Sequence, residues 1–127
     1  MVLWSLENAL GGELFVPKIP SYRIIDIAKA IGPDCEYPII GIRPGEKIHE
    51  EMITISDSYN TVDLGKYFAI LPVAGKYTVE SYSEAHGGKP LPPGFAYNSG
   101  SNSDVLTVEQ LRKLIAEHIS ETEVRPA

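Results

Sequence analysis

The apolar positions of this chain fall into short groups separated by glycine, proline and polar turn formers. Leu3, Leu6 and Leu10 recur at helical spacing, and Gly11-Gly12 stops them. This first helix has no clear N-cap residue and reads as if it began before Met1. Glu13-Leu14-Phe15-Val16 reads as a strand ended by Pro17. Lys18-Ile19-Pro20 is a connector; Lys18 is within reach of a role at a ligand, but a solvated loop lysine is the expectation. Ser21 is a good N-cap for a second helix, in which Ile24, Ile27, Ala28 and Ile31 form an apolar stripe expected to be core. Gly32-Pro33 ends it.

The stretch around which the rest is organised follows. Ile39-Ile40-Gly41-Ile42 reads as a short buried strand, and Pro44-Gly45 as a turn. Ile48 and Met52 then recur at helical spacing, which puts Glu46 in the first turn of an expected third helix. Arg43 would lie at a strand end and Glu46 at a helix start, three residues apart across the turn. A guanidinium binds phosphate or carboxylate oxygens bidentately, and a carboxylate accepts hydrogen bonds from a pair of sugar hydroxyls. Arg43 on a diphosphate and Glu46 on a ribose is therefore one reading. A helix-start glutamate that complements the helix dipole, beside a solvated turn arginine, is the other.

Farther along, Lys66-Tyr67-Phe68-Ala69-Ile70-Leu71-Pro72 reads as a strand, and 78–82 as a short extended piece. The region 54–65 is polar and rich in turn formers. His86 to Gly94 is rich in chain breakers and is expected to be a loop. Its Gly87-Gly88-Lys89 is not a phosphate-binding loop, because the glycine spacing and the hydroxyl after lysine are missing. Residues 95–104 read as a surface or subunit-contact loop. Thr107 and Gln110 form a capping box for the last helix, whose stripe is Leu111, Leu114 and Ile115. Residues 121–127 are expected to be a flexible tail, leaving 1–120 as the domain.

Length and charge narrow the possibilities. At 127 residues with 43% apolar content this is one domain at most, with a modest core. A net charge of −6 argues against a nucleic-acid or anionic-membrane partner. No apolar run reaches membrane-spanning length and no signal-peptide pattern opens the chain, so a cytoplasmic location is expected. The single Cys35 precludes an internal disulfide. His49, His86 and His118 have no metal-ligand spacing, and His49-Glu50-Glu51-Met52-Ile53 lacks the second histidine of a zinc-protease helix. His49 is expected to be a packed or partly exposed helix histidine.

Arg43-Pro44-Gly45-Glu46 resembles the Arg-Pro-Gly-acidic motif in the C-terminal substrate domain of extended short-chain dehydrogenase/reductases that act on nucleotide sugars. The longer run from Ile40 to Met52, with Phe15-Val16-Pro17-Lys18-Ile19-Pro20-Ser21 upstream, resembles the inverting UDP-N-acetylglucosamine 4,6-dehydratases of bacterial capsule, O-antigen and flagellar sugar synthesis. The resemblance runs from Leu3 to about Ile115. It implies an α/β substrate domain of short strands, some paired in parallel, with three to four helices and without the Rossmann domain, so the chain is expected to be N-terminally truncated. It also implies that Arg43 contacts the diphosphate and Glu46 the ribose of a UDP-sugar.

The complete enzyme of that family uses NAD(P). It oxidises the sugar at C4, eliminates water across C5–C6, returns the hydride to C6 and inverts C5. No catalytic residue for that chemistry is found in this chain. There is no Gly-x-x-Gly-x-x-Gly turn, and none of the seven tyrosines is followed four residues later by lysine. The chain alone is expected to carry no cofactor and to be inert. Its expected partners are a UDP-sugar, the Rossmann-domain part of the enzyme, covalent or separate, and further copies in a homo-oligomer. A UDP-sugar 4-epimerase fragment and a non-catalytic assembly module are the alternatives.

Overall fold

The protein is described by a computed structural model over residues 1–119; the expected tail at 121–127 lies outside the described residues. The contacts divide the chain into two compact units. The first consists of Met1–Ile19 and His49–Ser101; the second consists of Pro20–Ile48 and the described residues from Asn102 onward. The class is α/β, with five helices and short strands among the described residues.

The first unit is built on a four-stranded sheet of order β1-β4-β3-β5, formed by β1 (Leu14–Pro17), β4 (Tyr67–Ile70), β3 (Thr61–Asp63) and β5 (Lys89–Pro90). Every pairing in it is antiparallel. β2 (Glu51–Ile53) and β6 (Tyr97–Asn98) form a separate antiparallel ribbon. Among the described residues the expected parallel pairing is therefore reduced to a single bridge between Ser21 and Val105 in the second unit.

The sheet is covered on both faces, which explains why Phe15-Val16 and Tyr67-Phe68-Ala69 are continuous apolar runs and not alternating ones. Phe15, Val62 and Ala69 pack with Leu71 and Tyr82 on one side. Val16 and Phe68, opposite each other in register, pack with Ile53 on the other. Trp4 of α1 (Val2–Asn8) lies edge-on to Phe15 at 5.2 Å and stacks on Tyr67 at 4.4 Å. Such aromatic pairs add about 0.5–1.5 kcal/mol beyond area burial.

Residues 54–94 of this unit differ from the sequence expectation in three places. Residues 79–86 form a helix, α4 (Val79–His86), where an extended piece was expected. Thr78 accepts from the backbone N–H of Ser81, and the Ser81 hydroxyl accepts from that of Thr78. Gly87 closes the helix at φ 70°, a conformation that disfavours any residue with a Cβ. The polar region 54–65 holds a one-turn helix, α3 (Ile55–Ser58), capped by Thr54 and Asp57, and then β3. The expected loop from His86 to Gly94 contains β5.

Tyr82 is 1% exposed and its hydroxyl has no hydrogen-bond partner among the described residues. Burial and, secondarily, the charge of Glu13 push its pKa up to about 12. A buried hydroxyl without a partner costs roughly 1–3 kcal/mol. Tyr82→Phe is therefore expected to leave stability unchanged or to raise it by about 1 kcal/mol in urea unfolding; a loss of that size would show that the hydroxyl is bonded in solution.

The second unit pairs α2 (Ile24–Ile31) with α5 (Val108–His118). Thr107 and Gln110 cap α5 reciprocally, as the sequence predicts, and Leu111 is buried. Ser21 does not cap α2. Its backbone bonds Asp104 and Leu106 instead, and Arg23 holds the cap position without a side-chain cap bond. Nor is the isoleucine stripe core in the described chain: Ile24 is 77% and Ile31 68% exposed. The buried position is Asp26, with Ile27, Ala28 and Ala30 half-buried beside it.

Arg23 grips Asp26 with two bonds, Nε to Oδ2 at 2.6 Å and Nη2 to Oδ1 at 2.9 Å. Those bonds hold the Asp26 carboxyl below its ordinary range against the opposing effect of desolvation, with the charges of Arg23 and Lys29 adding to them. A carboxylate with a depressed folded-state pKa stabilises the fold above the unfolded value of about 3.9 and loses that contribution as pH falls through the folded value. Asp26→Asn is thus expected to lower the urea midpoint at neutral pH and to flatten its fall below about pH 4. Parallel acid dependences in the two proteins would contradict this.

Candidate functional site

The sequence puts the candidate site at the Arg43–Glu46 turn, in the second unit. The Glu46 N–H donates to the Arg43 carbonyl at 3.1 Å, closing a four-residue turn. Pro44 fits its second position and Gly45, at φ 84°, its third, as a type II turn requires. Neither flanking element forms as expected. Residues 39–42 are not a strand and 46–52 are not a helix. Met52 belongs to β2, and His49 lies exposed outside any helix, its ring against Gly100 in the first unit. Gly41 at φ 80° breaks the extended run, and the isoleucines that would make it a buried strand are exposed.

Arg43 and Glu46 are nevertheless brought together, and more tightly than their spacing alone implies. Glu46 Oε1 accepts from Arg43 Nε at 2.8 Å and from Nη2 at 2.5 Å, while Oε2 accepts from the Arg43 backbone N–H at 2.6 Å. The guanidinium, then the backbone N–H, hold the Glu46 carboxyl below its ordinary range, so it is ionised at neutral pH.

The side chains differ in what they have left to offer. A guanidinium carries five N–H donors; Glu46 takes two, and the Arg43 side chain is 75% exposed. Three donors remain for an anion. A carboxylate has about four acceptor positions, of which Oε1 uses two and Oε2 one. Glu46 can therefore take one hydroxyl as it stands, and a pair of hydroxyls only by releasing a bond to Arg43.

Other candidates are structural. Lys18 is not a free loop lysine: its ammonium bonds Asp63 at 2.7 Å and lies 4.5 Å above the centre of the Phe68 ring. Gly87 is the cap of α4, and Gly88 packs against β3, so the glycine pair does not cradle a phosphate. Tyr97, which the sequence singled out only as part of a loop, clamps the backbone of Ile19 by donating to its carbonyl at 2.7 Å and accepting from its N–H at 2.8 Å. No group of three metal-ligating side chains sits together among the described residues. A cleft of about 460 Å³ in the first unit is lined by Tyr59, Pro72, Tyr77, Glu80 and Leu91, and includes neither Arg43 nor Glu46. No described helix is long and apolar enough to cross a membrane.

Comparison with known proteins gives the class. Residues 1–72 match the family model described as polysaccharide biosynthesis protein. The chain is 38% identical over 120 residues to the inverting UDP-N-acetylglucosamine 4,6-dehydratase of Campylobacter jejuni, covering 90% of this chain and 35% of that protein. It is 31% identical over 119 residues to the UDP-glucose 4-epimerase of Rickettsia felis, covering 91% of this chain and 34% of that one. Among solved structures, an X-ray structure of Pen from Bacillus thuringiensis superposes with a TM-score of 0.68 at 26% identity, over 91% of this chain and 34% of that one.

The chain belongs to the polysaccharide biosynthesis protein family. This bears out the resemblance to the dehydratase-type extended short-chain dehydrogenase/reductases. It spans about a third of the length of the curated relatives it matches.

Proposed function

We propose that this chain holds the UDP end of UDP-N-acetylglucosamine in an inverting 4,6-dehydratase of polysaccharide biosynthesis. Arg43 binds the diphosphate through its outward N–H groups. Glu46 fixes Arg43 in place and accepts a ribose hydroxyl. The observation that carries this reading is the doubly bonded Arg43–Glu46 turn, which leaves an exposed, pre-oriented guanidinium in a chain 38% identical to a dehydratase of that specificity. Pre-orientation lowers the ordering cost of binding.

The residues here do not fit a dinucleotide. The chain lacks the glycine-rich turn, and its one Gly-Gly-Lys is occupied by helix capping and strand packing. On this reading NAD(P) and the acid–base groups belong to the rest of the enzyme, and the chain alone binds without turning over. Titration of the labelled chain with UDP-N-acetylglucosamine, followed by two-dimensional NMR, tests the assignment. Saturable shifts centred on Arg43 and Glu46 are expected. A well-dispersed spectrum that does not change would refute it.

The 31% identity to a UDP-glucose 4-epimerase supports a second reading, a 4-epimerase domain. The products of the reconstituted enzyme separate the two: a 4-keto-6-deoxy sugar, or the 4-epimer.

A further inference from the structure

The second unit leaves uncovered what its sequence builds as interior. Ile39 is 97% and Ile40 83% exposed, and Ile42, Ile24 and Ile31 are exposed as well. Three β-branched residues in four is a strand composition. Yet no backbone hydrogen bond is made by residues 39–42 among the described residues. The run begins two residues after Tyr37, whose hydroxyl donates toward the Ala28 and Gly32 carbonyls at the end of α2. The run is thus tethered near the helix end that carries Ile31.

A finished domain surface scatters its exposed apolar residues singly. In residues 39–42 three exposed isoleucines coincide with amides that make no backbone bond among the described residues. The matched relatives are about three times as long as this chain, so most of the polypeptide of each lies outside the stretch that this chain matches.

We infer that residues 39–42 and the exposed Ile24–Ile31 edge of α2 form a docking face for that remaining polypeptide, and that the occupant supplies a β-strand to which 39–42 pairs. This rests on the dehydratase reading for the identity of the occupant. Strand addition uses the free N–H and C=O groups, while alternate side chains fill apolar pockets. Gly41 must turn from φ 80° to the extended region, which a glycine does without steric cost.

The test is co-expression of the full chain with the part of the Campylobacter jejuni dehydratase lying outside its 120 matched residues, with hydrogen exchange measured on the purified complex and on the chain alone. The expected result is a one-to-one complex in which amides 39–42 exchange at least tenfold more slowly. Ile40→Asp and Ile24→Glu should each weaken it at least tenfold, and Gly41→Val, which favours extension, should not. A complex that leaves those amides unprotected overturns the inference while leaving UDP-sugar binding untouched. A chain that dimerises by itself with the same amides protected assigns the face to a second copy and also overturns it. Where the pieces do not co-purify, a covalent chimera with this chain in place of the 120 matched residues decides, and unprotected amides in the folded chimera overturn it. The NMR titration fails or succeeds independently of all these outcomes.

Discussion

On the proposed reading, Arg43→Ala is expected to abolish measurable UDP-N-acetylglucosamine binding by this chain. A hydrogen bond to a charged group contributes roughly 1.5–3 kcal/mol, and each 1.4 kcal/mol is a factor of ten in affinity. Loss of one guanidinium contact to a diphosphate is therefore expected to weaken binding roughly 10- to 100-fold. On that reading the chain holds half a binding site, which starts from a weak affinity, so the variant is expected to fall out of the range of titration. Arg43→Lys separates charge from shape. It keeps the positive charge but loses both the fork and the paired bonds to Glu46, and an intermediate loss is expected. Glu46→Gln leaves one oxygen where two now hold Arg43, so the guanidinium is less ordered and binding weakens though the phosphate ligand remains. Glu46 titrates below the ordinary carboxylate range. Its ionisation therefore leaves binding flat across neutral pH and reduces it only in acid. Equal affinities for wild type and Arg43→Ala would remove Arg43 from the site.

Gly88→Ala carries the largest expected cost to folding. A Cβ at Gly88 would lie 2.4 Å from Val62 Cγ1, 2.8 Å from Leu64 Cδ2 and 3.0 Å from the Asp63 carbonyl oxygen. Val62 is fully buried in the sheet and stiff at its first torsion, and the carbonyl belongs to a paired strand. Nothing nearby can yield cheaply, so the cost falls at the upper end of the ~1–3 kcal/mol of overpacking, and the melting temperature should drop by about 5–10 °C. Gly87→Ala is the internal control. Its Cβ would meet nothing within 4 Å, so only the left-handed conformation opposes it, at roughly 1 kcal/mol. Val62→Ala should partly relieve Gly88→Ala, giving less than the sum of the single losses. A Gly88→Ala protein as stable as wild type would mean that β3 and β5 are not packed as described.

Elements whose local chemistry is complete were legible in the sequence. α5 carries a Thr-x-x-Gln box and an apolar stripe, and β1 and β4 are apolar runs bounded by breakers. α4 was not legible because its box uses serine where the usual signature has glutamate or glutamine, and because Val79 and Tyr82 suggest extension. The run 39–42 departs from its sequence pattern for a different reason. Its residues want a strand, but a strand needs a neighbour, and none pairs with it among the described residues. The Arg43–Glu46 pair was legible because Pro44-Gly45 fixes the turn that joins them. Their mutual bonding was not, because it depends on side-chain geometry that spacing alone leaves open.

Proline brackets the exposed isoleucines on both sides, at Pro38 and Pro44. Neither can donate a ladder hydrogen bond, and the Arg43 N–H is already given to Glu46. Only four consecutive amides, 39–42, are left to pair. Fibre-forming zippers need six or seven residues of uninterrupted strand. The run is long enough to be caught by one neighbouring strand, and too short to propagate from copy to copy, so an apolar stretch that would otherwise invite aggregation is confined by the residues at its ends.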